Sequence, residues 1–123
     1  MTLDRTLEAA AEQVVADLAD HGGGTYERST LLPFTPSDGF AVAIGGIHLP
    51  DDVVGPENAE WALRAVGGEY ETSYVGTWLD DGVVYFDAVM YFGADRGAQA
   101  IAAGRFYEQK AIYDFGTKES VTL

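Results

Sequence analysis

Apolar and polar residues alternate most regularly from Tyr74 to Phe92, where two runs rich in Val, Tyr, Trp and Phe flank Asp80-Asp81-Gly82. An Asp-Gly pair between alternating strands is a strong hairpin signal, because both central residues of the favoured turn need positive φ. A two-residue turn at Asp81-Gly82 pairs Leu79 with Val84, Trp78 with Tyr85 and Val75 with Ala88. One face then carries Val75, Leu79, Val84, Phe86, Ala88, Met90 and Phe92, which is a core face. The other carries Tyr74, Trp78, Tyr85, Asp87, Val89 and Tyr91, aromatic around one carboxylate. A three-residue loop would slip the register and move Val75 and Leu79 onto the aromatic face.

Helical periodicity appears elsewhere. Leu3, Leu7, Ala10 or Ala11, Val14 and Leu18 predict a helix over residues 3–20, with Thr2 as its N-cap and Asp4 at the positive end of its dipole. His21-Gly22-Gly23-Gly24 stops it. The same four residues match a hydrolase oxyanion loop, but the G-x-S-x-G elbow that such a loop serves does not occur. Residues 25–29 read as a short strand, 31–39 as a loop with two prolines, and 40–47 as a central strand in which Gly45 and Gly46 mark a bulge or a close backbone approach. Pro56 opens a second helix with Ala59, Ala62, Leu63 and Val66 inward, ended by Gly67-Gly68; Trp61 falls off that stripe. Asp95 caps a third helix to about Tyr107, with Ala98, Ile101 and Ala102 inward and Phe106 a further candidate. Residues 110–115 and 118–123 form a last pair of strands. The order α-β-β-α-β-β-α-β-β predicts a single α+β domain over residues 1–123, with helices covering one face of an antiparallel sheet.

Charge narrows the function. Twenty acids against seven bases give a net charge of −13, which argues against binding nucleic acid or an anionic membrane. Between His48 and Asp81 eight acids face Arg64 alone. Such a region serves solubility or meets a basic partner. There is no cysteine, so disulfides, thiolate nucleophiles and cysteine metal sites are excluded. No basic leader precedes an apolar core, and the longest apolar run, residues 40–47, is too short to span a bilayer; a cytoplasmic protein is expected.

Candidate chemistry is sparse, and no cofactor is expected. No phosphate-binding or dinucleotide glycine motif occurs. His48, Asp51 and Asp52 make a weak metal set, better read as a solvated turn. Asp80 and Asp81 belong to the hairpin turn for backbone reasons. Asp87 is the better catalytic candidate, since burial among tyrosines raises a carboxylate's pKa; the plain alternative is a polar residue paired with Arg96 or Arg105. The chain leans away from being an enzyme.

The run Val75-Gly76-Thr77-Trp78-Leu79-Asp80-Asp81-Gly82-Val83-Val84-Tyr85-Phe86-Asp87, followed by a helix and Gln109-Lys110-Ala111-Ile112-Tyr113-Asp114, resembles small proteins of actinobacteria and their phages. The resemblance covers about half the chain. It implies a phage-like source and a role on host proteins, and it brings no assigned activity or catalytic residues to carry over.

On these grounds the expected function is non-enzymatic binding of a host protein partner, with a nucleic-acid-handling protein met at its basic surface as the candidate. Tyr74, Trp78, Tyr85 and Tyr91 supply aromatic anchors, and Asp51, Asp52, Glu57 and Glu60 with Trp61 supply an acidic surface in which carboxylates stand in for phosphates. The competing class is a small-molecule pocket between sheet and helices, lined by Trp61 and the hairpin tyrosines. Leu31, Leu32 and Phe34 are expected to cover one end of the aromatic face, leaving the Tyr74 and Tyr91 end open to a partner or a second copy of the chain.

Overall fold

The computed structural model describes residues 6–123. The elements follow the expected order: α1 (Leu7–His21), β1 (Gly23–Glu27), β2 (Phe40–Pro50), α2 (Pro56–Glu69), β3 (Tyr74–Asp80), β4 (Val83–Phe92), α3 (Gly97–Phe106), β5 (Ala111–Asp114) and β6 (Glu119–Thr122). Single 3₁₀ turns at Asp51–Val53 and Ala94–Arg96 precede α2 and α3. All strand pairs are antiparallel in one sheet ordered β1-β3-β4-β2-β5-β6, so the fold is α+β. No described helix is long and apolar enough to cross a membrane.

The central hairpin has the two-residue turn. Asp81 (φ 49°) and Gly82 (φ 76°) both take positive φ, and Leu79 faces Val84, Trp78 faces Tyr85 and Val75 faces Ala88. Val75, Val84, Phe86 and Ala88 point into a core with Ala10, Ala11, Val14 and Leu18 of α1 and Ala59, Ala62, Leu63 and Val66 of α2. A second cluster on the same face joins Val42, Phe92 and Ile112 to Ala100 of α3. The helices therefore share one side of the sheet and leave the other to the chain's loops.

Several boundaries differ from the expected ones, each for a packing reason. The Thr2 cap and the residues Leu3 and Asp4 lie outside the described residues; the described helix starts at Leu7, where Thr6 Oγ1 accepts the Ala9 N–H at 3.1 Å. Gly22 ends α1 in the left-handed conformation, while Gly23 and Gly24 enter β1, where the Gly24 N–H donates to Thr77 Oγ1 at 3.1 Å. Strands β1 and β2 are not a hairpin: β1 pairs with β3, and β2 lies between β4 and β5. The bulge expected in β2 falls between Ala43 and Gly45.

Helix α2 does not stop at its glycines but runs through Gly67 and Gly68 to Glu69. Tyr70 packs on the core and caps the last turn through its N–H to the Val66 carbonyl, and Arg28 donates to the Gly67 carbonyl at 2.7 Å. Helix α3 is rotated from the expected register. Asp95 makes no cap; it lies in the preceding 3₁₀ turn, and the helix buries Ala100 and Gly104 while Ala98 and Ala102 are exposed. A Cβ on Gly104 would come within 2.5 Å of Leu123 and 2.9 Å of Ile112, so the helix seats on its small residues. Phe106 is left 78% exposed, its ring edge-on to Tyr107 at 4.9 Å.

Candidate functional site

The second face of the sheet divides into a covered end and an open one. The loop after β1 returns along that strand: Glu27 N–H donates to the Leu32 carbonyl, Phe34 N–H donates to the Thr25 carbonyl, and Tyr26 bridges to Pro33. This brings Phe34 onto the sheet. Its ring stacks on Tyr74 at 4.2 Å and meets Tyr91 and Phe115 edge-on at 5.1 and 5.9 Å. The Tyr91 hydroxyl donates to the Asp38 carbonyl at 2.7 Å, pinning the far end of the loop. Phe115, Ala41 and Val89 complete this small second core. Partial cover was expected, but the ends are reversed: Tyr74 and Tyr91 are the covered pair. Leu31 packs into the main core and Leu32 stays exposed.

The open end holds Trp78, Tyr85 and His48. Antiparallel pairing sets Trp78 of β3 and His48 of β2 on either side of Tyr85 of β4, with ring centroids 5.7 and 5.5 Å from it. Trp78 is 40% exposed and His48 is exposed. Asp87, two residues along β4 on the same face, is opposite Gly46 on one side and Gly76 on the other. Neither neighbour has a side chain to pair with it, and among the described residues no hydrogen bond or ion pair forms at its carboxylate. Burial therefore acts alone, and it raises the Asp87 pKa from 3.8 to about 7. The alternative pairing with arginine is not made: Arg96 lies over the Phe92 ring at 5.1 Å, and Arg105 ends α3 without reaching Asp87.

Beyond the aromatic rings lies an acidic tip. The Asp51 N–H donates to the Gly82 carbonyl at 2.9 Å, tying the 3₁₀ turn that carries Asp51 and Asp52 to the hairpin turn that carries Asp80 and Asp81. Asp51 and Asp52 are exposed, as is Asp81. The turn chemistry and the acidity of this tip thus have separate causes: positive φ favours Asp at 81, and nothing in the backbone requires its three neighbours to be acidic.

The remaining expected site residues lie elsewhere. Glu57, Glu60 and Trp61 belong to α2, on the opposite side of the sheet from the tyrosines. Glu60 is engaged with Arg64 at 3.1 Å, and Trp61 is 53% exposed on the outer side of the helix. A pocket lined jointly by Trp61 and the hairpin tyrosines is therefore not formed. A groove of about 540 Å³ does lie on the helix side, among Leu7, Arg28, Leu31, Leu63 and Arg64, remote from the aromatic rings. His48, Asp51 and Asp52 do not converge, and no group of three metal-ligating side chains forms among the described residues. Sequence reasoning missed His48 as an aromatic neighbour and Gly46 and Gly76 as the flanks of Asp87; the Gly45-Gly46 pair was the available signal.

No family model, curated protein or solved structure matches the chain.

Proposed function

We propose that this protein is a non-enzymatic binding module that engages a basic surface of another protein through the open end of its second sheet face. The observation that carries the reading is the contiguity of three exposed or half-exposed rings, Trp78, Tyr85 and His48, with the carboxylates of the tip. Aromatic rings supply contact area and attract cations through their faces, and exposed carboxylates attract the same partner over a longer range. Enzymatic use of Asp87 is the weaker reading, because among the described residues its cross-strand neighbours, Gly46 and Gly76, supply no second acid or base. A second copy of the chain is a poor occupant: a symmetric contact would bring two acidic tips and two Asp87 carboxylates together at a net charge of −13 per chain.

The resemblance to actinobacterial and phage proteins makes an actinobacterial lysate the first source of partners. The test is capture from that lysate at low and high salt, with wild type, Trp78→Ala and the double variant Asp80→Asn/Asp81→Asn as baits. Capture of a basic protein that falls with salt and with both variants is expected, because exposed charge contacts are screened. Capture that is indifferent to Trp78→Ala, or that depends instead on Glu57→Gln/Glu60→Gln, sinks the reading.

A further inference from the structure

Asp87 is out of place by the usual rules. A half-buried carboxylate normally has donors, and this one has no protein partner among the described residues while its own burial penalises its charge. The backbone around it is arranged to keep it so. A Cβ on Gly46 would strike the Phe86 carbonyl oxygen and come within 2.8 Å of an Asp87 carboxylate oxygen, so only glycine lets the carboxylate lie over β2. On the other side Gly76 presents no side chain, and the Val89 methyl group fills the space beside it. The carboxylate thus sits on a bare shelf, bounded at one end by Tyr85, Trp78 and His48 and at the other by Val89 and the loop-covered aromatic cluster. Gly46 and His48 are exposed, so the shelf opens to solvent on the β2 side.

We infer that this shelf is a guanidinium site: an arginine side chain of the partner lies across Tyr85, between Trp78 and His48, with its fork on the Asp87 carboxylate. The inference deepens the binding function proposed above and rests on it. Charge and shape select the occupant. Besides Asp87, the ionisable side chains on the strands of this face are Glu27 of β1, Tyr74 and Asp80 of β3, Tyr85 and Tyr91 of β4, Tyr113 of β5 and His48 of β2, and among the described residues these strands present no lysine or arginine on it. A planar guanidinium stacks on a ring and donates two parallel hydrogen bonds to one carboxylate, whereas an ammonium is a compact, strongly hydrated point charge. A divalent metal would need further oxygen or nitrogen ligands, and Gly46 and Gly76 supply none.

Protonation then sets the binding. Burial holds Asp87 neutral below about pH 7, and a neutral carboxyl offers the cation no charge.

The experiment is a titration of the ¹⁵N-labelled full chain with N-acetylarginine amide, followed by NMR at pH 8 and pH 5.5. The neutral isostere N-acetylcitrulline amide and N-acetyllysine amide serve as comparison probes. Shifts are expected at the Trp78 indole N–H and the Gly46 amide, with affinity about tenfold weaker at pH 5.5 and no matching response to citrulline. Asp87→Asn, which keeps shape and fold, should weaken arginine binding about tenfold and remove most of its pH dependence. Equal shifts with citrulline, equal or tighter binding of lysine, or unchanged affinity in Asp87→Asn each overturn the inference. Lysate capture that persists in Asp87→Asn while failing in Trp78→Ala leaves the binding function standing and removes the guanidinium site alone.

Discussion

Asp87→Asn should make this protein more stable at pH 8, although it deletes a charge from a strongly charged chain. The folded-state pKa of Asp87 is about 7 against 3.8 when solvated, so the folded chain binds this proton more tightly than the unfolded one. For a raised pKa, the associated stability is fully present below pH 3.8 and is lost as pH rises through 7. A shift of roughly three units corresponds to about 4 kcal/mol at most. The open β2 side admits water beside the carboxylate, which lowers the expected penalty to about 2 kcal/mol. The amide of Asn has the same shape and no charge to desolvate, so the variant escapes this penalty. Urea denaturation followed by tryptophan fluorescence at a series of pH values measures it. The variant should be about 2 kcal/mol more stable at pH 8, with the advantage falling below about 1 kcal/mol only near pH 4. Comparing variant with wild type at each pH cancels the contribution of the other carboxylates. Equal stabilities at pH 8, or an advantage that grows as pH falls, would refute the assignment of a desolvated and unpartnered carboxylate at this position.

Gly82→Val should lower stability by about 1–2 kcal/mol or more, since Gly82 sits at φ 76° with open space around its Cα and the cost is backbone strain alone. A thermal midpoint equal to wild type would argue against the positive-φ turn. The helix glycines should divide: Gly68→Ala, exposed at the end of α2 with nothing within 4 Å, should add about 0.5–1 kcal/mol. Gly104→Ala should instead lower stability, by about 1–3 kcal/mol, because its methyl group meets Ile112 and Leu123; stabilisation there would show that α3 does not seat on its small residues. Phe34→Ala should cost about 2–3 kcal/mol, read by chemical denaturation, because it uncovers Tyr74, Tyr91 and Phe115 together. A loss no larger than that of Tyr85→Ala would mean that the loop does not hold the covered end.

The sequence by itself determined the features whose causes are local. Period-two alternation across Asp81-Gly82 specified the hairpin, its register and its two faces, because a one-residue slip would have sent the apolar set to the wrong side. Pro56 at the start of α2 and the stripe Ala59, Ala62, Leu63 and Val66 were legible for the same reason: capping and helical spacing act within one or two turns. The isolated acid on the aromatic face was legible as well, but not its solitude, which depends on Gly46 and Gly76 arriving from two other strands. Tertiary structure decided what local rules leave open. Two consecutive glycines ordinarily end a helix, yet Tyr70 and Arg28 stabilise one more turn of α2 from outside it. Hydrophobicity alone points Phe106 inward, yet the sheet accepts the smaller face of Ala100 and Gly104 because it permits closer approach. The division of the aromatic face followed from the path of a loop: pairing of residues 31–34 with β1 delivers Phe34 to Tyr74 and Tyr91. Trp78, Tyr85, His48 and Asp87 stay open because that pairing ends short of them, and the chain has already been committed to the other end of the sheet.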